Sequence, residues 1–341
     1  MRKILLLLLS VLFLVSCEKE QASKHLLQGT AFGTTYSVQY FGEPLADLER
    51  KIDSVIEAVN RSMSTYIPNS DISKINRGDS SVVVDPMFKE VFAISEEVHE
   101  QSSGYFDPTI GVLRNAYGFG STAPLRNIDS LVVDSLMQYV GFQKVQLKPN
   151  GTIAKSHPQI YFDFNAVAKG YGIDRIGLVL DKQNLDNYLI ELGGELLAKG
   201  INQEKQQAWV VGVEAVDSPL GDRSYQATVA LTDAAMASSG NYRKFRLDSL
   251  SGKRFVHTLN PLTGQAEASN LTSATIIAGN CALADAYATA CMAMGLDGSK
   301  ELLKGLEGVE AYLTYTEAQK DKVFVTPGFQ KLLGGSSTDR E

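Results

Sequence analysis

Between residues 45 and 60 the apolar positions Leu45, Leu48, Ile52, Val55, Ile56 and Val59 recur every three or four residues, with charged residues between them. That spacing lines one face of a helix and predicts an amphipathic helix over 45–60. A second helix is predicted over Pro86–Gln101, where Pro86 suits the first turn because the N–H it lacks would be unpaired there anyway. A third candidate runs from Asn165 to Leu180, directly after a short apolar run, Ile160–Phe164, that reads as a strand. The last covers 281–294 behind Asn280, a residue type whose side chain accepts a bond from the first helical turn. Elsewhere the period drops to two. Thr30–Tyr40 alternates through Tyr36, Val38 and Tyr40 and predicts a strand. Tyr188–Leu192 and Glu195–Ala198 flank Gly193-Gly194, the mark of a turn or bulge. Trp209–Glu214, Gln226–Leu231, Leu271–Ala278, 309–316 and 322–326 complete the predicted strands. Helices and antiparallel-looking strands alternate without a clear linker. The pattern therefore predicts an α+β chain: mixed, mostly antiparallel sheets with packed helices.

The N-terminus departs from this pattern. Arg2 and Lys3 precede Ile4–Val15, which is apolar except for Ser10. The run is short for a bilayer span and fits a signal-peptide core. It ends Leu14-Val15-Ser16-Cys17, which resembles the lipobox of bacterial lipoproteins, where cleavage before the cysteine leaves it as the acylated first residue. An uncleaved anchor and a plain signal peptide with a chance cysteine are the alternatives. The expected organisation is a lipoprotein signal peptide over 1–17 ending at Cys17, a polar tether over 18–27, one domain over 28–333 and a polar tail over 334–341. More than one acyl chain on Cys17 would hold the protein to a membrane. The expected location is the cell envelope, lipid-anchored and facing the periplasm.

Composition narrows the partners. The 341 residues allow one large domain or two moderate ones, and 44% apolar with 21% charged residues is ordinary for a globular chain. Net charge is −7 with no basic cluster beyond the N-terminus, which argues against a nucleic-acid partner. Cys281 and Cys291 would stand about 15 Å apart along one helix, beyond the reach of a disulfide, and read as two buried thiols.

Several familiar motifs are absent. The sequence has no phosphate-binding Gly-x4-Gly-Lys-Ser/Thr and no His-Glu-x-x-His. Gly118-Phe119-Gly120 lacks a preceding apolar strand and reads as a turn, and Ser238-Ser239-Gly240 lacks the earlier glycine of a nucleophile elbow. More informative is Cys281–Ala290, a helix of small apolar residues interrupted by Asp285 and Thr289. Four residues apart, these share one face and offer hard oxygens that suit magnesium or calcium. The alternative is that Thr289 bonds its own helix and Asp285 faces water. In 162–172 a strand ends at Asp163 and a helix follows, with Lys169 about one turn in and Gly170 and Gly172 thinning its surface. A helix start there would favour a phosphate; equally, Asp163 or Asn165 is a simple cap and Lys169 a solvated charge. Tyr105, Phe106 and Asp107, and Met63-Ser64-Thr65-Tyr66, place aromatics beside turn residues where a flat ring could stack. His257 leads into the turn Asn260-Pro261-Leu262-Thr263-Gly264, and is either structural or a base with a partner in reach.

Taken in order, FGTTYSV (32–38), MSTY with SDIS (63–73), SGYFDPTIG (103–111), DFNAVAKGYGID (163–174), ELGGE (191–195), HTLNPLTG (257–264) and ADAYATA (284–290) resemble the ApbE family of bacterial FAD:protein FMN transferases. The resemblance spans essentially the whole chain after the leader. It implies an ApbE-like flavin transferase fold over 28–333. The implied reaction cleaves FAD at its pyrophosphate, transfers FMN to a threonine hydroxyl of a target protein and releases AMP, with magnesium required. Expected targets are flavin-carrying subunits of membrane redox complexes. By the same resemblance Asp285, Thr289 and the main-chain oxygen of Ala166 would hold Mg2+. Phe32, Tyr66, Tyr105, Phe106, Asp107, Asp163 and Lys169 would contact FAD, and His257 would assist catalysis. Phe32 stands where many members carry Met, and Asn260 where many carry Asp. Two other functions are the alternatives: an Mg2+-dependent FAD pyrophosphatase using the same residues, with water replacing threonine, and a non-catalytic FAD-binding lipoprotein, which would need the aromatic pockets but not Asp285 with Thr289.

Overall fold

The structure, a computed structural model, describes residues 22–216, 224–241, 245–247, 254–266 and 269–334. The expected signal peptide with Cys17, and tail residues 335–341, lie outside the described residues. In chain order the elements are β1 (Lys24–Ala31), β2 (Thr34–Phe41), α1 (Leu48–Met63), α2 (Asp71–Asn76), α3 (Pro86–Gln101), α4 (Gly111–Tyr117), α5 (Ser130–Met137), β3 (Val145–Leu147), β4 (Ile153–Lys155) and α6 (Ala168–Asp181). There follow β5 (Tyr188–Leu192), β6 (Glu195–Lys199), β7 (Trp209–Glu214), β8 (Tyr225–Leu231), β9 (Ala234–Gly240), β10 (Phe245–Leu247), β11 (Arg254–Val256), β12 (Leu271–Ala278), α7 (Cys281–Lys304), β13 (Glu310–Glu317), β14 (Lys320–Val325) and α8 (Pro327–Leu332).

The frame is an eight-stranded sheet in the order β1-β2-β5-β6-β9-β12-β13-β14, each neighbouring pair antiparallel. Its side chains alternate between two cores, as the pleat requires. Val38, Ile190, Ala235, Ala237, Ile276 and Leu313 face the side that α6 and α7 cover. Phe41, Leu189, Met236, Ile277 and Tyr312 face the other, where Trp209, Val211 and Val229 of the β7–β8 hairpin and Phe329 of α8 close over them. A smaller cluster of Leu113, Tyr117, Val133, Phe255 and Leu259 ties α4 and α5 to the segment around His257. The mixed architecture agrees with expectation, and the sheet order brings β6 beside β9 and places α6 next to α7.

Local boundaries differ in four places. The expected tether over 18–27 is too long: Lys24–Leu27 already belong to β1, paired with Val38–Phe41, and His25 stacks on Tyr40 at 4.9 Å. β1 is an edge strand with half-exposed positions, so hydropathy alone does not distinguish it from coil. The strand expected over 30–40 is instead the second half of a hairpin, turned at Phe32 (φ 51°) and Gly33 (φ 79°). Residues 160–164 form no strand beyond an isolated bridge between Tyr161 and Ile110, and α6 starts at Ala168 rather than Asn165. α7 runs on to Lys304 through a break at Gly295 (φ 76°, ψ −177°), where Asn270 Oδ1 accepts from Leu296 N.

Candidate active site

α6 and α7 meet at their first turns, and Gly170 permits the contact. A Cβ built there would lie 2.3 Å from the main-chain oxygen of Cys281 and 2.9 Å from Ala282 N. Ala282, Ala284, Ala286, Ala288 and Ala290 are all buried, so α7 keeps a thin surface along this stretch. At the junction Asp285 Oδ2 accepts a hydrogen bond from Gly170 N at 3.2 Å. That N–H is one of those a first helical turn leaves unpaired, so Asp285 lies against the positive end of the α6 dipole. The exchange is mutual. Asp174 of α6 accepts from Cys281 N at 2.8 Å and from Ala282 N at 2.9 Å, while Asn280 accepts from Leu283 N at 2.9 Å. Each helix supplies a carboxylate to the other's N-terminus. Burial pushes the Asp174 carboxyl up to about 6 despite the two N–H bonds.

Beside this junction Lys169 Nζ pairs with Glu195 Oε1 at 2.5 Å. Glu195 opens β6 and is 4% exposed; Asp285 is 5% exposed. Burial lifts the Glu195 carboxyl to about 7, against the pull of Lys169 and with the push of Asp285. Burial likewise raises Asp285 above the usual carboxylate range, opposed by Lys169 and the Gly170 N–H. Burial works against the charge of Lys169, but the two carboxylates prevail and hold its ammonium above the ordinary lysine value. Two acids thus share one lysine, an arrangement receptive to a further cation. One turn along α7 from Asp285, Thr289 Oγ1 lies 3.5 Å from Ser239 Oγ at the end of β9. Ala166 is half-buried in the turn before α6, where Phe164 O accepts from Val167 N and Ala168 N.

The other expected site residues lie in differing surroundings. Phe32, at the tip of the first hairpin, lays its ring against Gly172 of α6. The segment 105–111 runs beside 160–163: Asp163 N donates to Pro108 O at 2.7 Å and Gly111 N to Tyr161 O at 3.2 Å. Within it Tyr105 is half-buried, but the Phe106 ring is 3% exposed and belongs to the core, so it cannot stack on a ligand at the surface. Asp107 also turns inward. Its Oδ1 accepts from Thr109 N and Oγ1, and its Oδ2 from Phe142 N, while burial raises its carboxyl. Asp163 faces Arg114 of α4 (Nε to Oδ2, 3.2 Å) and accepts from Asn165 N, so it orders the approach to α6. Tyr66, in the loop between α1 and α2, is 62% exposed and presents its ring to solvent. Half-buried His257 follows β11 and opens a loop closed by Gly264 N to Asn260 O.

Glu195, Asp174, Arg114 and Ser239 complete this region, beyond the residues expected from the sequence. Glu195 carries a sequence signal, a charge at the head of an apolar strand. Arg114 carries none, since only the fold brings it to Asp163. The inward role of Asp107 has a direct test. Asp107→Asn turns one acceptor into a donor facing N–H groups, and unfolding in urea should show a loss of about 1–3 kcal/mol. Unchanged stability would mean those bonds are replaceable.

Comparison with known proteins places this geometry. A model of the ApbE family matches residues 32–313. The chain is 32% identical over 338 residues to the FAD:protein FMN transferase of Haemophilus influenzae, covering 94% of each protein. It is 33% identical over 305 residues to that of Vibrio cholerae, covering 86% of this chain and 88% of the relative. Among solved structures, the flavin transferase ApbE from Vibrio cholerae superimposes with a TM-score of 0.81 at 28% identity, over 91% of this chain and 99% of that one. The apo flavinyl transferase ApbE of Pseudomonas stutzeri gives 0.81 at 25% identity, over 92% and 98%. With most of its length matched by the family model and by relatives above 30% identity, the chain belongs to the ApbE family.

Proposed function

We propose that this protein transfers the FMN half of FAD to a threonine hydroxyl of a target flavoprotein, releasing AMP, with Mg2+ at the α6–α7 junction. The reading is supported by the family and by relatives named FAD:protein FMN transferase. The observation that carries it is the meeting of Asp285 with the first turn of α6, beside Lys169. The positive end of the α6 dipole and the Lys169 ammonium lie together there, as a pyrophosphate would require.

No group of three or more His, Cys, Asp or Glu side chains among the described residues is arranged to hold a metal. The donors proposed here are of another kind: the Asp285 carboxylate, the Thr289 hydroxyl and the Ala166 main-chain oxygen. One carboxylate with neutral oxygens suits Mg2+ bound jointly with substrate phosphates, and the excess of buried negative charge fits a cation. When bound, the ion would neutralise charge on the phosphate oxygens. Lys169 adds an ammonium to the same oxygens, and phosphoryl-type transfer depends mainly on such neutralisation and on in-line positioning. In the step itself the threonine oxygen forms a bond to the FMN phosphorus as the bond to the AMP oxygen breaks. His257 accepts the threonine proton as general base. AMP leaves with the electron pair of the broken bond.

The same reading takes Cys17 as the acylated residue, holding the protein at the membrane in the cell envelope, on the periplasmic side. Its partner there is a flavin-carrying subunit of a membrane redox complex. No helix of the described residues is long and apolar enough to cross a membrane.

Incubation with FAD, Mg2+ and an acceptor domain bearing the target threonine should give covalent, fluorescent FMN on that domain, with stoichiometric AMP. Free FMN with AMP would replace the reading by hydrolysis, and unchanged FAD by simple binding.

A further inference from the structure

Glu195 is a buried acid with an unequal pair of oxygens. Its Oε1 meets Lys169 Nζ at 2.5 Å, whereas its Oε2 is buried with no hydrogen-bond partner. Leaving such an oxygen unpaired is costly, so the residue is an odd choice for packing alone. Its backbone is firmly held. Glu195 pairs with Leu192 across the β5–β6 turn, and Glu191 Oε1 fixes that turn by accepting from Gly194 N at 2.9 Å. Lys169, by contrast, carries its charge on a flexible four-carbon stem, and its side chain is 29% exposed. One end of the pair is anchored in the sheet and the other reaches the surface.

We infer that Glu195 is a positioning residue for the transfer: it holds the Lys169 ammonium at the first turn of α6 and does not itself touch the nucleotide. The inference rests on the function proposed above. At 4% exposed, Glu195 has almost no surface to offer a ligand, so its influence runs through Lys169. Asp285 acts on this lysine from farther off, its Oδ2 accepting from Gly170 N on the neighbouring helix, whereas Glu195 meets the ammonium in a close ion pair. Without Glu195 the lysine would sample many rotamers and meet the phosphates in few of them.

A double-mutant cycle tests this, using Glu195→Gln, Lys169→Met and the pair together, each read for FAD affinity by flavin fluorescence, for kcat of transfer and for thermal midpoint. Glu195→Gln alone should lower kcat about 10–100-fold, the range for removing an outer-shell partner, and weaken FAD binding. In the Lys169→Met background the same change should alter kcat by less than about twofold, because its effect needs the lysine. The midpoint should move in opposite senses. Lys169→Met leaves a buried carboxylate unpaired and lowers it; adding Glu195→Gln removes that charge and raises it again. Equal losses of kcat in both backgrounds would show a merely structural role and overturn the assignment. If Glu195→Gln does not fold, Glu195→Asp, which keeps the charge but draws it back by one methylene, enters the cycle in its place with the same expectations. A wild-type protein that transfers no FMN would overturn the proposed function and this assignment with it; additive effects in a transferring enzyme overturn this assignment alone.

Discussion

Asp285→Asn should cut FMN transfer about a thousandfold while the protein unfolds close to the wild-type temperature. The rate loss follows from the charge: a preorganised electrostatic partner removed from such a site costs about 10²–10³ in turnover, and here the lost group would also be an Mg2+ ligand. The small stability effect follows from burial. Asp285 is 5% exposed and its carboxyl is raised, so the folded protein already carries a cost for its ionised form. An asparagine oxygen still accepts from Gly170 N, which sits at the unpaired end of α6. Asp285→Ala should lose as much activity and, by orphaning that N–H, about 1–3 kcal/mol of stability as well. Single-turnover transfer over a range of Mg2+ concentrations is the measurement. Asparagine near the wild-type rate would remove the charge from the mechanism.

Gly170→Ala should damage both stability and activity. The added Cβ would stand 2.3 Å from Cys281 O and 2.6 Å from Cys281 C, both main-chain atoms of a buried helix that cannot swing aside. Overpacking of this kind costs about 1–3 kcal/mol. The shift that relieves it draws α6 away from α7 and lengthens the bonds from Asp285 and Asp174 together. Displacing a reacting group by about 1 Å costs on the order of a hundredfold in rate, so transfer should fall by that much even in molecules that fold. Gly279→Ala is the control, since nothing lies within 4 Å of its added carbon and its backbone has no left-handed φ. Equal tolerance of both alanines would mean that the helices do not need this closeness.

The amphipathic helices α1 and α3 are legible because their buried positions, Ile52, Ile56 and Val59 in one and Phe88, Val91 and Val98 in the other, follow the helical period. The central strands β5 and β12 are legible as apolar runs. β9, Ala234–Gly240, is not: its small residues lack the branched and aromatic side chains that mark a strand, and it is held by pairing with β6 and β12. The first hairpin hides its turn by placing Phe32 where a left-handed backbone usually selects Asn or Gly. Helices α2, α4, α5 and α8 are too short for periodicity to mark. In the site, Asp285 and Thr289 stand out as polar residues on an apolar helix, and Lys169 as a charge near a helix start. Asp163 stands ahead of a helix as a cap would, but it accepts from Asn165 N and faces Arg114, and α6 starts only at Ala168. Asp174 takes its meaning from a contact across the fold that no local pattern encodes, and Glu195, visible as a charge at the head of an apolar strand, finds its partner only there.

The crosswise carboxylates also bear on how the molecule comes together. Neither α6 nor α7 can satisfy its leading amides without the other, so neither end is complete in an isolated helix. The proposed centre therefore has no half-built form. The two helices dock and the junction exists, or they part and its amides, its lysine and its acids disperse at once.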